Sequence, residues 1–413
     1  MPDKKKKVAI VGGGAAGFFA AISCAQANSG LGVYLFEKTP KLLAKVRVSG
    51  GGRCNVTHHC FNPNQFIQYY PRGGKFLKTS FKLFGAAETI NWFEKRGVQL
   101  KTEADGRMFP VTDDSATIAN CLLNEARKAH VDIKTSIGVE TIVKPENTAE
   151  NFKLHLSDGS VFEADGLLIC TGGSPKAESY NWLQRLGHTI VPPVPSLFTF
   201  NVPNSPLKEL PGVAVKHAKV KIAGQALENE GPLLITHWGY SGPAVLKLSA
   251  WAARHLHDLK YNFTSLINWV PEFSEEQLRI YLADYRWQFP KRIVLAHPLF
   301  GLPQRLWKTL VAIADISEKT VWAELPAKNQ NKLIEQLLRG PFQVKGKTTF
   351  KEEFVTCGGI DLKEINPETM ESKIIPKLFF AGEILDIDGV TGGFNFQAAW
   401  TTGYLAGKAL ANL

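Results

Sequence analysis

The chain has 413 residues, 44% hydrophobic and 21% charged, enough for two or three domains and too ordinary for a disordered, coiled-coil or disulfide-stapled protein. Its 48 Lys and Arg against 38 Asp and Glu give a net charge of +10, which raises nucleic acid or an anionic membrane as a partner. Lys4 to Lys7 carry +4, residues 191–345 hold 18 basic and 12 acidic side chains, and the remainder is neutral. Because the bases of 191–345 are scattered among acids, nucleic acid is disfavoured and a small-molecule substrate is expected.

KVAIV (residues 7–11) is a short β-branched run that predicts a strand. Gly12-Gly13-Gly14-Ala15-Ala16-Gly17 follows, then the helix-compatible FFAAISCAQA, then a second strand that ends in Glu37. Strand, glycine turn, helix and a correctly spaced acid make a dinucleotide-binding fingerprint. Gly12 would make the tight turn, Gly14 would let a pyrophosphate approach the positive helix end, and Gly17 would let helix and strand pack closely. Glu37 would accept hydrogen bonds from an adenosine ribose. The same segment imitates a secretion signal, but three consecutive glycines do not suit an apolar helix, and no apolar run reaches the ~18 residues of a membrane span. A cytoplasmic location with no membrane partner is expected.

Lys45, Ser49 and the loop Gly50-Gly51-Gly52-Arg53-Cys54-Asn55 are suited to supplying amide donors to phosphates. Three short strands follow near 139–163, with Val139 at a strand start near the adenine and Asp158-Gly159 as a type I′ hairpin signal. Residues 166–170 form a buried-type strand that ends in Thr171-Gly172-Gly173. The proline-rich VPPVPSLF then opens a region of strands near 198–202, 215–223 and 232–237 and helices near 243–256, 275–285, 303–314 and 328–339. At the far end LFFA predicts a buried strand, and the glycine turn Thr391-Gly392-Gly393 leads into a last helix. This second glycine-led helix end suits a ligand longer than one pyrophosphate, such as a flavin dinucleotide whose ring gains negative charge on reduction.

The six cysteines show no C-x-x-C pair and no zinc-like spacing, so no disulfide framework and no metal site is expected. Cys54 and Cys60 form a rival redox pair, weighed against a packed thiol at Cys54. Residues 340–348 resemble a phosphate loop but are one residue too long.

Together VAIVGGGAAG, SGGGRCNVT, GRMFPVTD, LLICTGG, THWGYSGPAVL and TMESKIIPKLFFAGEILDIDGVTGGFNFQAAWTTGYLAG resemble the bacterial NAD(P)/FAD-dependent oxidoreductase family related to aminoacetone oxidase. The resemblance runs in the family's order from residue 8 to residue 407. It implies an α/β fold in which a Rossmann-like, glutathione-reductase-like FAD-binding domain (1–190 and 346–413) is split by an inserted mixed strand and helix domain, β-barrel-like plus helical, at 191–345. It also implies non-covalent FAD with Gly12, Gly14, Ala15, Ala16, Glu37, Lys38, Lys45, Arg53, Cys54, Asn55, Val139, Thr171, Gly172, Gly382, Glu383, Gly393, Phe394 and Asn395 as neighbours.

Family members usually show a Gly-Arg-Lys-like approach to the glycine loop where this chain has Leu43-Ala44-Lys45, and often an Asn where it has His58 and His59. The expected activity is hydride transfer through flavin N5 involving an unidentified small molecule, with NAD(P)H as a transient donor or O2 as redox partner. Tyr240, His237 and Arg107, with His58 and His59, are the proton-transfer candidates. A flavin-dependent RNA-modifying enzyme and a non-catalytic FAD-binding protein stay open as alternatives, as does the oligomeric state.

Overall fold

The computed structural model describes residues 5–147, 150–348 and 355–413, so Lys4 of the basic run lies outside the described residues. The chain divides into two compact units, Met1–Ser196 with Lys351–Leu413, and Leu197–Phe350.

The first unit is built on a five-stranded parallel sheet in the order Leu378–Phe380, Gly166–Ile169, Lys7–Val11, Gly32–Glu37, Asp132–Thr135. Val8, Ile10, Leu35, Leu168 and Phe380 are fully buried. Burial on both faces explains why Lys7–Val11, Gly166–Ile169 and Leu378–Phe380 read as continuous apolar runs, whereas the edge strand Asp132–Thr135 is polar and only partly covered. A late strand thus joins the same sheet as the first, and the turns leaving the carboxyl ends of all five strands gather along one edge, where such sheets bind ligands.

The helix Ala15–Ala27 packs against the C-terminal helix Phe394–Leu410. Contact is close because the second helix presents glycine: a Cβ at Gly403 would lie 2.5 Å from the Ala16 carbonyl oxygen, and one at Gly407 2.3 Å from that of Ala20. The Phe19 and Trp400 rings meet at 5.4 Å, and Asn28 Nδ2 donates to the Ala411 carbonyl at 3.0 Å just past the ends of both helices. From Ala16/Gly403 through Ala20/Gly407 to Asn28/Ala411 the positions rise together, so the helices run parallel. Gly403 lies deep in its helix while Ala16 is near the start of its own, which sets the later helix's N-terminus about 12 Å beyond the earlier one's at 1.5 Å rise per residue.

Two expectations change. The proline-rich strand Ile190–Ser196 pairs antiparallel with Val355–Ile360 in the first unit, and its Pro192-Pro193 falls in a bulge, where a missing N–H breaks no ladder bond. At the 158–159 hairpin only Gly159 takes a positive φ (+83°), with its N–H donating to the Leu156 carbonyl at 3.0 Å. That is a type I turn followed by a left-handed glycine rather than a type I′ turn.

The second unit holds a seven-stranded antiparallel sheet in the order Gly340–Lys345, Asn262–Asn268, Ala214–Ile222, Glu228–Ile235, Gly239–Ser241, Thr199–Asn201, Lys347–Thr348. Its two outer strands are joined through Gly346 alone, so the sheet curls back on itself. The phosphate-loop look-alike at 340–348 is this strand pair and its turn. Helices Glu275–Gln288, Gln304–Ile313 and Ala327–Arg339 share an apolar core with Trp269, Trp307 and Trp322. Among the described residues no helix is long and apolar enough to cross a membrane.

Candidate functional site

The first glycine turn is shaped by backbone contacts. Gly12 has φ +117°, and a Cβ there would strike the Cys170 carbonyl oxygen at 2.3 Å, so only glycine fits between the first strand and its neighbour. Gly14 caps the helix that begins with Ala15 and Ala16, and a Cβ there would meet nothing within 4 Å. Open space lies in front of free helical N–H groups, the arrangement that receives a phosphate. Glu37 ends the second strand with its carboxylate fixed: Oε2 accepts from the Gly13 N–H at 2.9 Å, and Oε1 from the Thr39 N–H and hydroxyl at 2.9 Å each. Ile137 N–H donates to the Glu37 carbonyl at 3.0 Å, which draws the start of the strand Val139–Val143 toward the same sheet edge. Lys38 is exposed beside it.

The loop predicted at 50–55 follows a helical turn. Gly50, Gly51 and Gly52 all take positive φ (59°, 70° and 85°), and neither Gly51 nor Gly52 has a neighbour that a Cβ would meet. Cys54, at φ +62°, is fully buried, and burial pushes its thiol up to about 12, opposed by Ser49. Cys54 and Cys60 are both free, and the protonated, buried Cys54 is a poor thiolate relay. Arg53 stacks on the Phe109 ring at 3.9 Å and pairs with Glu103 at 2.6 Å.

The segment after the strand Leu378–Phe380 meets the first helix's opening turn at Gly382. A Cβ on Gly382 (φ +75°) would come within 3.0 Å of the Ala16 Cβ, so the late segment lies directly against the first helix's opening turn. Gly382 N–H donates to Thr402 Oγ1 at 2.9 Å. Glu383 reaches in two directions, to Lys45 Nζ at 2.7 Å and to the Thr356 N–H at 2.8 Å. Asn55 accepts from the Gly393 N–H at 3.0 Å and donates to the Thr57 carbonyl at 3.1 Å, binding the two glycine segments together. Asn395 closes its own loop by pairing with both the N–H and the carbonyl of Gly389 at 2.8 Å. Phe394 is buried, stacked on Tyr69 at 4.3 Å and on His58 at 4.7 Å.

Three contributors escaped sequence reasoning. Thr356 Oγ1 is buried and has no hydrogen-bond partner among the described residues; it borders Gly173 and Glu383. Arg72 Nε donates to Asp388 Oδ1 at 2.6 Å, and Ser196 Oγ to Asp388 Oδ2 at 2.8 Å, anchoring the loop that carries Gly389. Asp388 is fully buried, and desolvation pushes its carboxyl up against the opposing pull of Arg72. Gly403 and Gly407 set the helix pair, and their four-residue spacing was the one visible signal.

Thr171 and Gly172 leave the strand Gly166–Ile169 at the same sheet edge; Gly172 has φ +75° and open space where a Cβ would stand. The open positions at Gly14 and Gly172, the poised Glu37 carboxylate and the unpartnered Thr356 hydroxyl fit an extended dinucleotide. Of the proton-transfer candidates, Arg107, His58 and His59 belong to this unit. Arg107 is engaged by Glu103 and Asp105, each at 2.7 Å. His58 Nδ1 lies 3.1 Å from the Gly392 carbonyl, and His59 is exposed against Phe61. In the second unit His237 is exposed, whereas Tyr240 is fully buried with its hydroxyl 2.5 Å from Ser265 Oγ. Burial pushes the Tyr240 phenol up, and it serves as a packing residue of that core.

A parallel sheet that carries the dinucleotide fingerprint on its first turn and gathers a second glycine-led helix end beside it defines an FAD-dependent oxidoreductase. The chain belongs to the HI0933-like protein Rossmann domain family, which it matches over residues 6–409. It is 28% identical over 413 residues to the 3-dehydro-bile acid delta(4,6)-reductase of Clostridium scindens, spanning 98% of this chain and 99% of that one. It is 30% identical over 412 residues to the ribosomal RNA dihydrouridine synthase of Escherichia coli K12, spanning 97% of each. The solved 3-ketosteroid-delta4-(5alpha)-dehydrogenase from Rhodococcus jostii RHA1 shares the fold, with a TM-score of 0.53 at 15% identity over 100% of this chain and 98% of that one.

Proposed function

We propose that this enzyme reduces a carbon–carbon double bond conjugated to a carbonyl, and that the bond belongs to a uracil ring in RNA. One observation carries the chemistry. A delta(4,6)-reductase of a 3-dehydro compound and a dihydrouridine synthase both name the addition of two hydrogens across an alkene activated by a carbonyl. The charge of residues 191–345, +6 but scattered among acids, does not choose between RNA and a free steroid, and the choice of RNA follows the 30% identity to the dihydrouridine synthase over 97% of both chains.

When bound, FAD would supply the two electrons as a hydride, drawn in turn from NAD(P)H, and the second hydrogen would enter as a proton from solvent. The residues of this chain hold and orient it. The Gly12–Gly14 turn presents helical N–H groups and a positive dipole end to the pyrophosphate, while the fixed Glu37 carboxylate accepts from the ribose. The N-terminus at Gly393 places a second positive helix end farther along the same direction, where negative charge is favoured. Cys54 is buried, and burial keeps it a neutral thiol.

The test is anaerobic. Holoenzyme is reduced with NADH or NADPH, then mixed separately with unmodified ribosomal RNA transcribed in vitro, a 3-oxo-4,6-dienone steroid, or air. Reoxidation of the flavin by RNA, with a mass gain of two hydrogens on one uridine, is the expected result. Rapid reoxidation by the steroid alone would move the substrate assignment, and reoxidation by air alone would discard the reductase reading.

A further inference from the structure

The second unit is attached to the first at two places, because the chain leaves after Ser196 and returns at Lys351. The strands on either side of that excursion, Ile190–Ser196 and Val355–Ile360, pair antiparallel, with Pro195 opposite Thr356 and Ser196 opposite Val355. Both crossings are therefore held side by side within the first unit. Both are also fastened to the segment between Gly382 and Gly393, one wall of the candidate cofactor site.

The return strand is fastened by backbone and side chain. Thr356 N–H donates to Glu383 Oε1 at 2.8 Å, and Asp386 N–H to the Ile360 carbonyl at 3.1 Å. A Cβ on Gly359 would lie 2.3 Å from the Ile384 carbonyl oxygen, so strand and segment touch backbone to backbone. The outgoing strand is fastened by one hydroxyl: Ser196 Oγ donates to Asp388 Oδ2 at 2.8 Å. From Asp388 the connection runs on to the last helix. Arg72 donates to the same carboxylate, Val390 N–H donates to the Tyr69 carbonyl at 2.9 Å, and Gly389 is bonded on both sides by Asn395 of that helix's first turn. Ser196, Thr356 and Asp388 are each fully buried, so no bulk water stands ready to replace a broken bond.

We propose that the two crossings form a latch on the cofactor site, in which FAD occupancy and the order of both strands are one linked equilibrium. Thr356 supplies the direct contact. Its hydroxyl is buried without a partner among the described residues and borders Gly173 and Glu383, so a dinucleotide passing that edge meets the return strand itself. Ser196 is a positioning residue that acts through Asp388. Linkage is reciprocal: whatever loosens a crossing weakens FAD binding by the factor with which FAD tightens that crossing. The second unit, attached at these two points, thereby bears on flavin retention through its own chain ends. This inference rests on the reading of Gly382–Gly393 as part of the FAD site and not on the identity of the substrate.

The experiment reads binding and order apart from catalysis. Hydrogen exchange is followed by mass spectrometry on FAD-free and FAD-saturated wild type. FAD affinity is measured by equilibrium dialysis on Ser196→Ala, Thr356→Val, the double variant and Ser80→Ala. The last removes the hydroxyl of another buried serine of the same unit, bonded to the Pro367 carbonyl at 2.6 Å, as a control for general loosening. FAD should slow exchange in peptides covering 190–196 and 355–360 about tenfold, and Ser196→Ala should weaken FAD binding by the same order. Ser80→Ala should change it less than about twofold, and the double variant should fall short of the product of its parents, because both act through one segment. Wild-type FAD affinity in Ser196→Ala, an equal loss in Ser80→Ala, or exchange at 190–196 indifferent to FAD would overturn the latch and leave the cofactor reading intact. The wild-type exchange needs no variant, so it decides the matter if Ser196→Ala does not fold. A folded wild type that holds no FAD would overturn the cofactor reading and the latch with it.

Discussion

Gly403→Ala sets two effects of opposite sign against each other. In an isolated helix, replacing an interior glycine by alanine adds about 1 kcal/mol of stability. Here the new methyl would stand 2.5 Å from the Ala16 carbonyl oxygen, against ~3.3 Å for an ordinary carbon–oxygen contact, so the helices must part by about 0.8 Å. The obstacle is helical backbone, which has no rotamer to change. Overpacking costs about 1–3 kcal/mol, and a backbone obstacle belongs at the upper end, leaving a net loss of about 2 kcal/mol. At roughly 2 °C per kcal/mol for a unit of this size, calorimetry should show Tm lower by about 4 °C. Because Ala16 belongs to the first turn after Gly14, the displacement should also reduce FAD retention on gel filtration, read from flavin absorbance. A variant whose Tm rises by the propensity increment, with full FAD content, would refute the packing argument.

Thr356→Val removes the unpartnered buried hydroxyl. It should raise the Tm of the FAD-free protein, since an unsatisfied buried group costs about 1–3 kcal/mol, yet weaken FAD binding in equilibrium dialysis; equal FAD affinity would sever Thr356 from the cofactor. His188 is enclosed between Glu364 and Ser372, and burial holds its pKa below the usual 6.5 despite Glu364. Its contribution is therefore present above about pH 6.5 and lost as pH falls toward the depressed value. Tm should drop on acidification from pH 7, and less steeply in His188→Asn; parallel curves would dismiss the histidine. Tyr240→Phe should cost about 1 kcal/mol through the lost Ser265 bond and leave kcat unchanged. A large fall in kcat at constant Tm would return Tyr240 to the catalytic candidates.

Both glycine turns were legible because their function is written in the backbone. Gly12 and Gly393 take conformations that side chains avoid, so chemistry and residue type coincide at single positions. What escaped depends on partners remote in sequence. Arg72 and Asp388 are 316 residues apart, and neither resembles a site residue by itself. Thr356 is one hydroxyl in an apolar strand, distinguished only by what fails to meet it. The type I′ reading failed because the Asp-Gly dipeptide also suits a type I turn with glycine third.

The parallel pair of helices has a consequence for biosynthesis. Asn28 and Ala411, bonded in the finished protein, are separated by 383 residues. During translation the first strand, turn and helix therefore emerge with one flank of the Ala16–Ala25 face uncovered, and the helix that covers it is made only after the whole intervening chain. The cofactor cleft cannot be complete until that helix has left the ribosome and docked, whatever the intervening unit has already done. Contacts of such long sequence separation close slowly. Nascent chains arrested before residue 394 should consequently hold little flavin, and availability of FAD would act on the last stage of folding rather than on its beginning.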